Sequence, residues 1–168
     1  MRKPILYILC GIPGSGKSTW AEQYMREHEE EDIRYVSRDE IRFSLIKNES
    51  NYFAHEREVY AKFAGTITQT LVDGFDVIAD ATHINHFSRR KLTSQIDKIF
   101  TDYNIIYVVF YTNVEDCINR NKARKGREKV PDDIIVNMCK NWKSPYLKED
   151  ARAIDIIVVT SSEGKEII

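Results

Sequence analysis

The octapeptide Gly11-Ile12-Pro13-Gly14-Ser15-Gly16-Lys17-Ser18 follows six consecutive apolar residues, Ile5–Cys10, and opens a segment with helical spacing. That order commits the start of the chain to a strand, a tight turn and a helix, the context in which G-x-x-x-x-G-K-[ST] binds phosphate. Glycines let the backbone fold closely around an anion, so that successive N–H groups and the helix N-terminus point at its oxygens. Gly11, Pro13, Gly14, Ser15, Gly16, Lys17, Ser18 and Thr19 are therefore the candidate nucleotide contacts. Lys17 would reach the β- and γ-phosphates of ATP, and the Ser18 hydroxyl would ligate Mg²⁺.

Apolar runs rich in β-branched residues recur at 33–36, 75–79, 105–111 and 156–159. Between them lie segments of helical periodicity, predicted as 17–28, 39–47, 55–72, 88–101, 114–123 and 132–142. Strands alternating with helices imply a mostly parallel sheet. The runs are nearly continuous in hydrophobicity, as expected of strands covered on both faces. The predicted fold is α/β, a P-loop NTPase-type three-layer sandwich with a mostly parallel central sheet and a basic helical lid at about 117–142. A chain of 168 residues buries roughly 70% of its unfolded surface, enough for one core, so 1–168 is read as one domain.

Composition narrows the partners. The net charge of −1 and a pI of about 6.4 speak against a broad basic face for duplex DNA. Positive charge is concentrated instead. Arg120, Lys122, Arg124, Lys125, Arg127 and Lys129 stand against Glu128 alone, a local balance of +5. The six-residue apolar run near the N-terminus is far below the roughly 20 residues that cross a bilayer, so a cytoplasmic protein without membrane contact is expected. Cys10, Cys117 and Cys139 are odd in number and widely spaced, which suits buried thiols better than a disulfide framework. Self-association is left open.

Among phosphate-loop proteins, a GTPase would need an Asn-Lys-x-Asp guanine reader, whereas Asn121-Lys122 continues as Ala123-Arg124. A motor-type ATPase would end its acidic strand with a glutamate, but Val77-Ile78-Ala79-Asp80-Ala81 supplies only Asp80, a candidate metal ligand beside Ser18. Protein kinases use a different glycine loop and need His-Arg-Asp, absent here. Small phosphotransferases remain. The second predicted strand runs into Ser37-Arg38-Asp39-Glu40-Ile41-Arg42, and carboxyl ends of parallel strands line the ligand crevice. Asp39 could accept the proton of an attacking hydroxyl. Arg42, one helical turn on, would keep Asp39 ionised and could touch the acceptor or the transferred group. Asp39 could alternatively be a helix N-cap.

The phosphate loop ending in Ser18-Thr19-Trp20, Ser37-Arg38-Asp39 with Arg42, Thr82 with Asn85 and Arg89-Arg90, and Arg120-Asn121 with Arg124 before Val130-Pro131 resemble the kinase domain of the phage polynucleotide 5′-hydroxyl kinase family. The order and spacing match across nearly the whole chain. Asp80-Ala81-Thr82-His83 departs from the phage pattern and is similar to the Asp-Ala-Thr-Asn form of bacterial RNA-repair kinases. The sequence contains no Asp-x-Asp, so a kinase without the phage enzyme's phosphatase domain is expected. The resemblance implies transfer of the ATP γ-phosphoryl group to the 5′-OH of a single-stranded or end-exposed DNA or RNA, as in nucleic-acid repair. It makes Lys17, Asp39, Arg42 and Arg124 the catalytic set, with Asp39 as general base and Arg124 on the γ-phosphate. Arg120 joins the nucleotide contacts, and Arg38, Asp39, Arg42 and Thr82 the acceptor contacts.

The basic segment has its own physical reading. A phosphoryl-transfer transition state spreads negative charge over three oxygens, and an arginine carried by a closing segment stabilises it. Gly126 is a plausible hinge before Arg127. The remaining signals are weaker. Asp80-x-x-His83-x-x-His86 reads as loop rather than metal site. Trp20, Tyr24 and Tyr60 read as core, Gly65 as a close helix contact, and Trp142, Lys143 and Tyr146 as residues that could flank adenine or a single strand. Two rivals stay open: a kinase of a nucleoside, sugar or sugar-nucleotide, and a nucleotide sensor without transfer activity.

Overall fold

The computed structural model describes residues 1–46, 55–126 and 129–160. The first apolar run forms β1 (Ile5–Cys10), and the loop after it leads straight into α1 (Lys17–Glu27). The chain continues through β2 (Arg34–Ser37), α2 (Arg38–Leu45), α3 (Glu56–Val72), β3 (Val77–Asp80) and α4 (His86–Ile96). β4 (Asn104–Tyr111), α5 (Val114–Lys122), α6 (Asp132–Lys140) and β5 (Ala153–Thr160) complete it. The five strands lie in the order β2-β3-β1-β4-β5, and every pairing is parallel.

The strand period of two sorts the core into two layers. Leu6, Ile8 and Cys10 of β1 join Phe63, Ile67 and Leu71 of α3 and Leu92 and Ile96 of α4 on one face. Tyr7 and Leu9 meet Ala21, Trp20, Tyr24 and Met25 of α1 on the other. This is the expected three-layer sandwich, and Trp20 and Tyr24 are core, their rings stacked at 4.7 Å. Tyr60 likewise packs against the first cluster. Cys10 and Cys117 are buried, and all three cysteines are free thiols. Among the described residues no helix is long and apolar enough to cross a membrane.

Several expectations shift. Full cover on both faces holds for β1, β3 and β4, but β5 is an edge strand that leaves Ile154 and Val158 exposed. It is also longer than predicted, because pairing with β4 from Ile105 to Tyr111 extends it beyond its apolar centre. α4 starts two residues early, where Asn85 and Ser88 form a capping box. It stops at Ile96 rather than Thr101, where Ile99 N and Phe100 N both turn back onto the Ile96 carbonyl at 2.9 Å. The predicted end of α2 at Lys47 lies outside the described residues. Gly65 marks no close contact, for a Cβ built there meets nothing within 4 Å.

Register places the chemistry. Ser37 of β2 pairs with Asp80 of β3, and Ile8 of β1 with Ala79. The carboxyl ends of three neighbouring strands therefore deliver the glycine loop, the start of α2 and Asp80 to one crevice.

Candidate active site

The phosphate loop is shaped by contacts only glycine permits at two points. Gly14 has φ +82°, and a Cβ there would fall 2.6 Å from the Cys117 carbonyl oxygen. A Cβ on Gly11 would fall 2.4 Å from Ser15 Oγ, a buried hydroxyl with no hydrogen-bond partner among the described residues. The loop is braced from outside: Gly11 N donates to Thr82 O at 2.9 Å, and Thr112 Oγ1 to Ser15 O at 3.0 Å. Lys17 Nζ folds back onto the Ile12 carbonyl at 3.0 Å. Burial lowers the Lys17 pKa, opposed by the carboxylates of Asp80 and Asp39 and reinforced by Arg124. An incoming anion would relieve that desolvation.

Ser18 Oγ donates to Asp80 Oδ2 at 2.8 Å, and Tyr35 Oη donates to the same oxygen at 2.5 Å. Serine hydroxyl and carboxylate thus converge as hard oxygen donors, the chemistry that suits Mg²⁺. The histidines do not join them. His83 is buried and donates Nδ1–H to Leu9 O at 2.8 Å, while His86 turns to Glu149 at 2.9 Å. Among the described residues no group of three His, Cys, Asp or Glu could hold a metal.

His83 has a second role. It sits at φ +41°, and its carbonyl accepts from Arg89 Nη1 at 3.0 Å, so it locks the turn that ties Thr82 to Gly11. Burial pulls its pKa down to about 4, and Arg38, Arg89 and Lys17 add to the lowering. A depressed folded-state value means that the unfolded chain binds the proton first, so stability is complete above about 6.5 and is lost as the pH falls toward about 4. His83→Asn, which tolerates the left-handed backbone, is expected to show a smaller drop in Tm than the wild type between pH 7 and 4.5. Equal drops would show that His83 does not carry this acid sensitivity.

Asp39 is not the helix cap. Ser37 takes that place, its hydroxyl accepting from Glu40 N at 3.2 Å, which frees the Asp39 carboxylate. The side chain of Asp39 is 63% exposed and paired with Arg42 across one helical turn. Arg42 is itself buried and held in a fork by Glu56: Nε to Oε1 at 2.5 Å and Nη2 to Oε2 at 3.1 Å. Arg38 Nη2 reaches the same carboxylate at 2.8 Å. Burial pushes the Glu56 carboxyl up, but the bonds from Arg42 and the nearby Arg38 outweigh it and hold the pKa below its ordinary value.

Glu56 was invisible to motif reading, because it belongs to no spaced pattern and acts across the gap between α2 and α3. As the group that aims both arginines, Glu56→Gln is expected to lower turnover by about 10²-fold with ATP affinity unchanged. Turnover within twofold of wild type would remove it from that role. Tyr35 also escaped the sequence, since a tyrosine in a strand reads as packing.

A cavity of about 610 Å³ joins these groups. Pro13, Gly14, Lys17 and Ser18 line its phosphate end, and Arg38, Asp39, Arg42, Glu56, Asp80 and Thr82 its middle. Arg124 enters from the segment after α5, and Val130, Pro131, Ile134 and Met138 form an apolar wall. Arg120 is not among the lining residues. Expected on the nucleotide, it donates Nη1–H to the Gly14 carbonyl at 3.2 Å, bracing the loop from α5. Thr19 stands exposed on α1, and Gly11, Ser15 and Gly16 shape the loop without lining the cavity.

Asn121, the near-match to a guanine reader, is buried and clasps both backbone groups of Val130. Its Nδ2 donates to Val130 O at 2.5 Å and its Oδ1 accepts from Val130 N at 2.9 Å. That clasp closes the segment that carries Arg124 and Gly126. Gly126 has φ +60°, a conformation glycine adopts without strain. Arg127 lies outside the described residues. Ile12, Cys117 and Ile135 form a small separate core that joins α5 and α6 to the phosphate loop.

A parallel sheet with the glycine loop at its centre, and an acidic helix start beside it, defines a P-loop domain of kinase type. Residues 6–146 match the AAA domain family AAA_33, a P-loop kinase family, and the chain belongs to it; that membership implies ATP as the nucleotide. It is 29% identical over 163 residues to the L-seryl-tRNA(Sec) kinase of Methanococcus maripaludis, covering 95% of this chain and 60% of that protein. It superposes on a chain of the Pnkp1/Rnl/Hen1 complex with a TM-score of 0.59 at 28% identity, covering 71% of this chain and 40% of the other. A gluconokinase from Sinorhizobium meliloti shares the fold, with a TM-score of 0.60 at 15% identity over 97% of this chain and 86% of that one. The chain thus spans less than two thirds of the length of each of the first two.

Proposed function

We propose that this domain transfers the γ-phosphoryl group of ATP to the 5′-hydroxyl of a DNA or RNA end. The observation that carries the reading is the placement of the exposed Asp39 carboxylate, oriented by Arg42, in one cavity with Lys17 and Arg124. Asp39 accepts the proton of the attacking hydroxyl. Lys17 and the loop N–H groups hold the donor phosphates, and Arg124 meets the charge that builds on the transferred group. Ser18 and Asp80 would hold Mg²⁺, which when bound neutralises charge on the β- and γ-oxygens.

The cavity wall supports a nucleotide acceptor. Val130, Pro131, Ile134 and Met138 offer an apolar surface that suits the flat face of a nucleobase and offers no hydrogen bonds to a polyhydroxylated sugar. Arg38, paired on one edge by Glu56, adds a cation for an acceptor phosphate, and Thr82 a hydroxyl. Likeness to a tRNA kinase and to a chain of an RNA repair complex favours a hydroxyl borne on nucleic acid. The test is transfer of labelled γ-phosphate to 5′-hydroxyl RNA and DNA oligonucleotides, serine-charged tRNA, free nucleosides and gluconate, with Asp39→Asn as control. Label on the oligonucleotides, lost in the control, is the expected result. Label only on a nucleoside or sugar would overturn the acceptor, and ATP binding without transfer to anything would leave a nucleotide sensor.

A further inference from the structure

Beyond the cavity, one surface remains unexplained by the proposed chemistry. Phe87 is 77% exposed, Tyr146 58% and Leu147 48%, although the chain has a large core in which to place them. Two ties bring them onto one patch. Lys143 N donates to Ile84 O at 2.8 Å, and Glu149 takes Arg89 in a fork at 2.8 and 3.0 Å as well as His86. The segment 143–149 is thereby pinned along 84–89, with Tyr146 and Leu147 between the pins on one strand of chain and Phe87 between them on the other. Trp142, packed partly into the core, anchors the near end.

Charge on the patch is one-sided. Arg90, Lys143 and Lys148 are exposed, whereas Glu149 is neutralised by buried Arg89 and Asp150 by Arg152. Exposed aromatics rimmed by cations that form no salt bridge among the described residues make the combination on which unpaired bases stack while phosphates are held by charge. An apolar partner, or a second copy that meets this patch with its own, would leave those cations uncompensated. The patch also begins two residues past Thr82, which lines the cavity.

We infer that Phe87 and Tyr146, with Arg90, Lys143 and Lys148, form a platform for the single-stranded nucleic acid that trails behind the 5′-terminal nucleotide. The inference rests on the nucleic-acid acceptor proposed above. It makes the domain a reader of strand length, since a dinucleotide ends before the platform and an octanucleotide crosses it.

The experiment compares wild type with Phe87→Ala/Tyr146→Ala and with Lys143→Glu/Lys148→Glu, all at exposed positions. KM is measured for 5′-hydroxyl dinucleotide and octanucleotide acceptors, and binding of a 5′-phosphorylated fluorescent octanucleotide is followed by anisotropy. Expected are an octanucleotide KM at least tenfold below that of the dinucleotide in wild type, and loss of that advantage in both variants. Turnover and the dinucleotide KM should not change, and the charge reversal should flatten the salt dependence of binding. Efficient phosphorylation of both lengths with unchanged variant KM overturns the platform and leaves the kinase reading standing. Platform-dependent strand binding without phosphorylation does the reverse. Absence of both overturns both, and a wild-type dimer that the variants dissociate would assign the patch to contact between copies and overturn the platform.

Discussion

Arg124→Ala is expected to lower turnover by about 10³–10⁵-fold, the range for removing an arginine that meets charge on a transferred phosphoryl group. The argument begins with the environment of Arg124. It lines the cavity, lies close enough to Lys17 to depress that ammonium's pKa, and has no ion-pair partner among the described residues. An arginine kept without a carboxylate beside another cation raises the energy of the free enzyme. The cost is recovered when anionic oxygens arrive, and most fully when charge spreads in the transition state. The loss should therefore fall on kcat more than on the KM for ATP, and Arg124→Lys should restore only part of it, since an ammonium cannot bridge two oxygens as a guanidinium does. The thermal transition should stay within a few degrees of wild type. Turnover at the wild-type level in Arg124→Ala would remove this residue from the catalytic set.

The fold was legible because its signals are local. Continuous apolar runs and a glycine loop between strand and helix give element order, and the parallel sheet follows from alternation. Lys17, Ser18, Asp39, Arg42 and Asp80, which line one cavity, each stand in a motif visible in the sequence, and the crevice at the strand ends explains why they meet. The rest depended on through-space partners. Glu56 orients Arg42 from another helix, and Tyr35 shares Asp80 with Ser18. The partner of Arg120 was not legible, because sequence spacing gives the face of a helix but not what that face touches, here a loop carbonyl. Asn121 shows the same limit: no motif gives it a role, yet its buried side chain closes a backbone turn.

Asp39→Asn is expected to lower turnover by about 10²–10⁴-fold, the usual worth of a positioned general base, with ATP affinity retained. Asparagine keeps the size and can still face Arg42, so packing at the start of α2 should survive; Ser37, not Asp39, caps that helix. What disappears is the proton acceptor. The change also removes the anion that helps hold Lys17 charged, so the Lys17 pKa should fall further in the variant, and activity that remains should decline at lower pH than in wild type. The pairing with Arg42 makes the two residues one unit, in which the guanidinium fixes the direction of the carboxylate. Asp39→Asn and Arg42→Ala should then be strongly non-additive, the double variant losing little more than the worse single one. Full additivity would mean that Arg42 acts on the acceptor independently of the base. Retained turnover in Asp39→Asn would mean that the hydroxyl loses its proton elsewhere, and with it the reading of this cavity as a base-assisted kinase site.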